Sequence, residues 1–200
     1  KRQEYADALS DELSKKLCIS KPVARLLSSR GVNTVEAAEK FLSPDKSDFI
    51  NPFELYGMNA AVERINKAIS LNESVLIYGD YDCDGLTAIS ILYTFLKDKI
   101  DKVSYYVPNR HSDGYGLHDI VVEDLTKNEG IDLVITVDCG ITSKNEVKCI
   151  KEMGIDVVVT DHHEPIPELI PDGIVLNPKV DRKSFSDYCG AGVVFKLIQP

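Results

Sequence analysis

The sequence has 200 residues, and its 44% of hydrophobic residues is enough to bury one sizeable core. No run of about 18 apolar residues occurs, which excludes a membrane span, and the first residues lack the apolar stretch of a signal peptide, which predicts a cytoplasmic protein. The formal net charge of −9 is unusual for a nucleic-acid enzyme, since DNA binding normally relies on clustered lysine and arginine.

The first part of the chain predicts short helices. Residues 21–30 carry apolar side chains at helical spacing and are followed by Gly31, a residue favoured just after a helix end. Thr34 can cap the helix that follows, and residues 60–69 predict an amphipathic helix. The predicted domains are a helical lead-in over residues 1–70, packed on the core, and a main domain over residues 71–200.

Strands and helices alternate from residue 74 onward. The β-rich apolar runs VLIYG, KVSYYVP, DLVITVD, DVVVTD and GIVLN predict five strands, and VLIYG is apolar throughout, as in a strand buried on both faces. Stretches with helical periodicity lie between the runs. This alternation predicts the α/β class, with a mostly parallel five-stranded sheet and helices on both faces.

Acidic and imidazole side chains recur where the predicted strands end. In open α/β sheets, ligands bind beyond the carboxyl ends of the strands, and parallel neighbours bring these ends together. The first strand runs into GDYDCDG, the third into an aspartate, the fourth into Asp-His-His and the fifth into an asparagine. The residues at these ends are Asp80, Asp82, Asp84, Asp138, Asp161, His162, His163 and Asn177.

Carboxylates that converge without neighbouring lysine or arginine repel one another unless cations lie among them or their pKa values rise. Aspartate with imidazole is a mixed oxygen and nitrogen ligand set that suits Mn²⁺ and accepts Mg²⁺. So many ligands predict two metal ions that share a carboxylate, an arrangement that activates water and holds a phosphoryl group. Any single aspartate after a strand caps a helix about as often as it binds a metal. The prediction therefore depends on finding such residues at several neighbouring strand ends together. A calcium loop is excluded, because Leu86 follows Gly85 and no glutamate stands at the twelfth position.

These same residues carry a resemblance to the DHH phosphoesterase superfamily. The segment TDHHEP (Thr160–Pro165) resembles the motif that names it, and GDYDCDGLTA (Gly79–Ala88) resembles the branch of RecJ-type exonucleases. VPNRHSDGYGL, ITVDCGI, VLNPK and CGAGVVFKL follow in the RecJ-type order, and the lead-in RLLSSRGVNTVEAAEKFLSP is similar too. The similarity covers essentially the whole chain.

The resemblance implies a single-stranded-DNA exonuclease of DNA repair and recombination, which removes mononucleotides 5′ to 3′ with two metal ions, preferably Mn²⁺. It implies that Asp138 bridges the two ions, that His163 either supports the ligands from behind or acts on the phosphate, and that Asp161 orients a histidine. These three are the expected catalytic residues. Asp80 matches the family spacing less closely than the other ligands do. The implied metal ligands are Asp80, Asp82, Asp84, Asp138 and His162.

Other residues are expected to contact substrate. Arg110 can bind a phosphate through two hydrogen bonds, with a pairing to Asp113 as the alternative, and Tyr115, which lies between glycines, can stack on a base. Asn177, at the end of the last strand, is a further expected substrate residue. The backbone amides of residues 190–192, at a helix start, either cradle phosphate or allow close helix packing.

The chain begins without methionine and is expected to be a piece of a longer protein. The resemblance implies a further ligand aspartate and a DNA-enclosing domain beyond Pro200, so this piece alone is expected to bind metal incompletely and to be inactive. That domain would also supply the basic surface that a net charge of −9 lacks. The expected partners are single-stranded DNA, a single-strand-binding protein and a helicase, with no membrane, and the expected state is a monomer.

The motifs are compatible with a few other functions to different degrees. A nucleotide dehydrogenase is disfavoured because no G-x-G-x-x-G or P-loop follows the first strand, and a receiver domain would need a lysine after the last strand. A DHH phosphodiesterase acting on short oligonucleotides or cyclic dinucleotides, a pyrophosphatase and a non-catalytic replication scaffold remain alternatives. The five cysteines form no C-x-x-C pair, so we expect them to be reduced and mostly buried, with Cys83 and Cys139 packing inward.

Overall fold

The computed structural model describes residues 7–109, 116–181 and 187–200. Within it the chain divides into two compact units, Lys1–Ile50 and Asn51–Pro200. The domain boundary predicted from the sequence, at residue 70, stays a prediction. Among the described residues, no helix combines the length and the apolar composition that crossing a bilayer requires.

The first unit is helical, as expected. Its helices are α1 (Asp7–Lys16), α2 (Lys21–Ser29) and α3 (Val35–Leu42), with a short 3-10 helix at Lys46–Asp48. The hydroxyl of Thr34 accepts a hydrogen bond of 3.1 Å from the N–H of Ala37, which confirms the predicted cap of α3. Gly31 follows the end of α2 with a φ of +84°, a conformation that glycine adopts without strain. Leu13 and Leu27 are buried at the centre of this unit. Helix α1 was not among the predicted helices.

The second unit contains one sheet of five parallel strands. The strands are β1 (Val75–Gly79), β2 (Val103–Tyr106), β3 (Leu133–Val137), β4 (Asp156–Thr160) and β5 (Ile174–Leu176). Their order across the sheet is β2-β1-β3-β4-β5. β1 and β3 are buried along their whole length, which is why their sequences are apolar without alternation. The predicted fold class is therefore confirmed.

Helices cover both faces of this sheet. They are α4 (Met58–Leu71), α5 (Cys83–Leu96), α6 (Asp119–Glu129), α7 (Lys144–Glu152) and α8 (Gly190–Leu197), with short 3-10 helices at Pro52–Glu54 and Pro167–Leu169. Because side chains alternate along a strand, Ile77 of β1 packs into a core with α4, α5 and α8. Its neighbour Tyr78 packs into a second core with α6 and α7. The sheet is thus the middle layer of three.

The strand order creates a crevice beside β1. The chain passes from β1 outward to the edge strand β2, then returns to β3 on the other side of β1. In sheets of this kind the connections leave β1 and β3 in opposite directions, so that the loops separate above the carboxyl ends of these two strands. The candidate site lies at this place.

Candidate metal centre

The sheet register places four of the predicted residues in a row. The last pairs of neighbouring strands are Gly79 with Val137, Val137 with Thr160, and Thr160 with Leu176. The residues directly after these pairs are Asp80, Asp138, Asp161 and Asn177. The row is held by backbone hydrogen bonds, since the N–H of Asp138 donates to the carbonyl of Thr160 (3.0 Å) and the N–H of Asp161 to that of Leu176 (3.1 Å). The predicted convergence at the carboxyl edge is therefore present in the structure.

Asp138 is the most unusual residue of the row. Its side chain is 1% exposed, and its backbone has a φ of +61°. Within the described part of the chain, Oδ1 of Asp138 accepts no hydrogen bond, although Nε2 of His162 lies 3.1 Å away. Burial, reinforced by the charge of Asp84, raises the pKa of Asp138 to about 7. A buried carboxylate oxygen without a donor is destabilising unless the carboxylate is protonated or a cation binds it, so in its ionised form this atom fits a metal ligand.

Two groups of possible ligands meet at Asp138. Within each group the ligand atoms lie within 4.8 Å of one another. One group is Asp138, His162 and His163, and the other is Asp80, Asp82 and Asp138. Because Asp138 belongs to both, its position fits a carboxylate shared by two ions. The metal-ligand roles themselves stay predictions.

The two histidines differ in their surroundings. Burial and the neighbouring His163 lower the pKa of His162, which favours the neutral imidazole that binds metals. Nδ1 of His163 instead forms a 2.7 Å hydrogen bond with Oδ1 of Asp161, and this bond raises the pKa of His163. Asp161 is fully buried, and it also accepts the N–H groups of Ile141, His162 and His163. Asp161 is therefore placed to orient His163 rather than to face a metal.

The three aspartates of GDYDCDG occupy different environments. Asp80 is 5% exposed, and burial raises its pKa. Oδ1 of Asp82 caps α5 by accepting the N–H groups of Asp84 (2.8 Å) and Gly85 (3.0 Å). Oδ2 of Asp84 lies 3.6 Å from Nε2 of His162. The helix-cap alternative thus applies to Asp82, which also belongs to the second ligand group.

The start of α8 binds Asp84, which the sequence analysis did not predict. The N–H of Gly190 donates to Oδ2 of Asp84 (2.6 Å), and the N–H of Ala191 donates to Oδ1 (2.8 Å). Burial alone would raise the pKa of Asp84, but these two amides and the thiol of Cys189 outweigh it and lower the pKa. Two of the three amides considered for a phosphate cradle are therefore occupied by a carboxylate of the chain itself, and the third, that of Gly192, donates to Sγ of Cys189.

Two glycines allow these groups to approach one another. A Cβ atom on Gly85 would overlap the backbone carbonyl of Asp80, and one on Gly190 would overlap the carboxylate of Asp138. Both positions therefore need glycine, because backbone and a buried carboxylate cannot move away as a flexible side chain would. Close packing, the second explanation for the glycine at the start of α8, is the one that this geometry favours.

Asn177 is fully buried beneath the site. Its Nδ2 donates to the carbonyl of His163 (3.1 Å), and its Oδ1 accepts the N–H of Lys179 (2.8 Å). With its amide used on both sides, Asn177 is placed to hold the backbone of His163, and this geometry favours that role over the predicted contact with substrate. Arg110 and Tyr115, the other predicted substrate residues, lie outside the described residues.

The cysteines are less buried than expected. Cys139 is buried and its Sγ faces the carbonyl of Tyr78 at 3.9 Å, as predicted for packing between strand ends. Cys83 is exposed, however, so the prediction that it packs inward is wrong. Cys18 and Cys189 are exposed too, and Cys149 is half-buried. The expectation of mostly buried thiols therefore fails, because these residues lie on helices or helix ends that face solvent.

Comparison with known proteins identifies the family. The model of the DHH family, N-terminal domain, matches residues 74–200. The chain belongs to the DHH family. The matched region of this DHH chain begins just before β1 and contains every element that contributes to the candidate site, so the resemblance stated from the motifs is confirmed.

Several proteins and solved structures that are similar to this DHH chain are RecJ proteins. The single-stranded-DNA-specific exonuclease RecJ of Bacillus subtilis (strain 168) is 43% identical over 187 residues, which is 92% of this chain and 24% of that protein. A crystal structure of exonuclease RecJ bound to manganese matches with 36% identity and a TM-score of 0.66, over 72% of this chain and 37% of that one. RecJ in complex with Mn²⁺ from Thermus thermophilus matches with 29% identity and a TM-score of 0.70, over 96% and 26% of the two chains. The chain therefore spans about a quarter of the curated relative.

Proposed function

We propose that this DHH chain provides the metal-binding catalytic part of an exonuclease that hydrolyses the phosphodiester bonds of single-stranded DNA. The proposed polarity is 5′ to 3′, with release of mononucleotides, and the proposed metals are two Mn²⁺ ions, which Mg²⁺ can replace. The observation that carries the proposal is the carboxylate of Asp138, which is buried, belongs to both ligand groups and leaves Oδ1 without a hydrogen-bond donor among the described residues.

The names of the relatives support the choice of substrate and metal. A relative that is similar over 92% of this chain is named a single-stranded-DNA-specific exonuclease, and two similar solved structures contain manganese. The two groups around Asp138 offer aspartate and imidazole, the donor set that suits Mn²⁺. We propose Asp80, Asp82, Asp84, Asp138 and His162 as the ligands. Bound divalent ions would activate water and offset the charge that develops on the phosphate.

The remaining residues of the site have proposed roles other than metal binding. His163, whose pKa is raised by its hydrogen bond with Asp161, is placed to present a proton or a positive charge to a phosphate oxygen. Asp161 fixes the ring of His163, and the amide of Asn177 fixes its backbone. Arg110 and Tyr115 remain proposed contacts to a terminal phosphate and a base.

The cellular setting is part of the proposal. We place the protein in the cytoplasm, in DNA repair and recombination, as a monomer that works with a single-strand-binding protein and a helicase. The acidic balance of the chain, at −9, supports a basic DNA-binding surface elsewhere in the natural protein.

The test uses 5′-phosphorylated single-stranded DNA with Mn²⁺ or with a chelator. We expect the full-length natural protein to release mononucleotides only with metal, and Asp138→Asn to remove this activity. Asp98→Asn serves as the matched control, because Asp98 is exposed and follows the far end of α5. Intact long DNA together with cleaved dinucleotides or cyclic dinucleotides would instead identify a phosphodiesterase for short substrates, and inertness on all of them would favour a scaffold.

A further inference from the structure

The first turn of α8 contacts two carboxylates of the candidate metal centre. The N–H groups of Gly190 and Ala191 each donate to one oxygen of Asp84, at 2.6 and 2.8 Å. The Cα of Gly190 also lies so close to Asp138 that an added Cβ would overlap its carboxylate. Asp84 comes from the start of α5 and Asp138 from the end of β3, so one helix start touches ligand candidates from two separate elements.

This helix start is not available to an external anion. Two of its N–H groups are used by Asp84, and the N–H of Gly192 donates to Sγ of Cys189 at 3.4 Å. A helix amino terminus stabilises negative charge, and here that charge belongs to the chain. The aspartate that it binds lies 3.6 Å from Nε2 of His162, within the site.

We propose that the first turn of α8 positions Asp84 and Asp138 for metal binding, with Gly190 and Ala191 as positioning residues that act through the backbone. The amides fix both oxygens of Asp84, which leaves its carboxylate one orientation toward His162. Gly190 contributes because it has no Cβ atom, since any side chain at this position would displace the carboxylate of Asp138. This inference rests on the proposed use of the site for metal.

The amide of Ala191 can be removed without removing a side chain of the site. Ala191 is the second residue of α8, where proline is tolerated because the N–H has no partner within the helix. The preceding residue is a glycine, whose missing Cβ lessens the clash with the proline ring. Ala191→Pro therefore deletes one hydrogen bond to Asp84 and puts the ring Cδ where the amide hydrogen pointed at Oδ1, so that the carboxylate must move. Ala191→Gly is the matched control that keeps the N–H.

The experiment measures binding of Mn²⁺ alone to the full-length protein, by the electron paramagnetic resonance signal of the free ion. We expect Ala191→Pro to weaken Mn²⁺ binding on the order of tenfold, since a hydrogen bond to a charged group is lost, while Ala191→Gly stays within about twofold. Gly190→Ala should weaken it at least as much, whereas Gly192→Ala should not, because its Cβ would face the ring of Tyr188 and no carboxylate. Thermal unfolding with chelator checks that each variant is folded.

Wild-type Mn²⁺ affinity in folded Ala191→Pro and Gly190→Ala would overturn the inference. If Ala191→Pro does not fold, the comparison of Gly190→Ala with Gly192→Ala decides the question. A wild-type protein that binds Mn²⁺ but releases no nucleotides would refute the proposed exonuclease, and the binding data would still decide the role of α8. A wild-type protein that binds no Mn²⁺ would overturn both.

Discussion

Replacing Asp138 by asparagine should make the metal-free protein more stable while it removes the activity. Asparagine has the shape of aspartate without its charge, and it tolerates the left-handed backbone of this position, where φ is +61°, better than alanine does. The change therefore isolates the effect of the buried charge. If Asp138 binds metal as proposed, its charge serves the site although it destabilises the metal-free fold.

The size of the expected stabilisation follows from the pKa of Asp138, which burial and then the charge of Asp84 raise from 3.8 to about 7. Between these two pH values the folded state keeps a proton that the unfolded state has released, so the free energy of unfolding falls as pH rises from about 4 to about 7. At pH 8 the full pKa difference lowers the free energy of unfolding by about 4 kcal/mol, and at pH 5 it lowers this free energy by less than about half as much. The neutral amide of the variant has no such penalty, so the gain from Asp138→Asn should be larger at pH 8.

The assay is urea unfolding of both proteins in chelator at pH 5 and pH 8, followed by the same measurement with Mn²⁺. We expect Asp138→Asn to exceed the wild type in chelator, most clearly at pH 8, and Mn²⁺ to stabilise only the wild type. Asp98→Asn, on the surface, should change the free energy of unfolding by less than about 0.5 kcal/mol at either pH. A variant that is less stable than the wild type at pH 8, or a gain independent of pH, would show that the carboxylate is not strained by burial.

Three further predictions concern two positions at the site and one pair at the amino end of β4, at the opposite edge of the sheet. Asp161→Asn should lower the pKa of His163 in metal-free protein, because it removes the negative partner of the imidazole; the proton resonances of His163 followed against pH test this, and an unchanged midpoint would contradict it. Gly85→Ala should reduce the free energy of unfolding by about 2–3 kcal/mol, since its Cβ overlaps the carbonyl of Asp80, and denaturant midpoints that match the wild type would count against the packing. Arg64→Met should lower the free energy of unfolding by about 2 kcal/mol, because this nearly buried guanidinium pairs at 2.7 Å with the mostly buried Glu73, while its second partner, Asp156, is 55% exposed and adds little. Calorimetry measures the change, and a neutral result would mean that the pairs contribute nothing net.

The local parts of the fold could be predicted because their causes lie close together in the sequence. The apolar run of residues 75–79 has no polar alternation, since both faces of β1 are covered, and this alone indicates a strand in the middle of a layered sheet. Thr34 and Gly31 mark helix ends through contacts within three or four residues. Asp138, Asp161 and their neighbours were found in the same way, since each follows directly after its strand.

The order of the strands and the final position of each side chain were decided only by tertiary structure. The sequence around β1 does not indicate that β3 pairs with it in addition to β2. This pairing of β1 with β3 puts Asp80 next to Asp138. Asp84 is held by backbone amides 106 and 107 residues away, and an amide carries no signal in the side-chain pattern. Asn177 follows its strand as the ligand candidates do, but it is buried and turned toward His163. The sequence determined which residues reach the edge of the sheet, and the packing of α8 and the loops determined which of them face the site, because that depends on contacts between elements far apart in the chain.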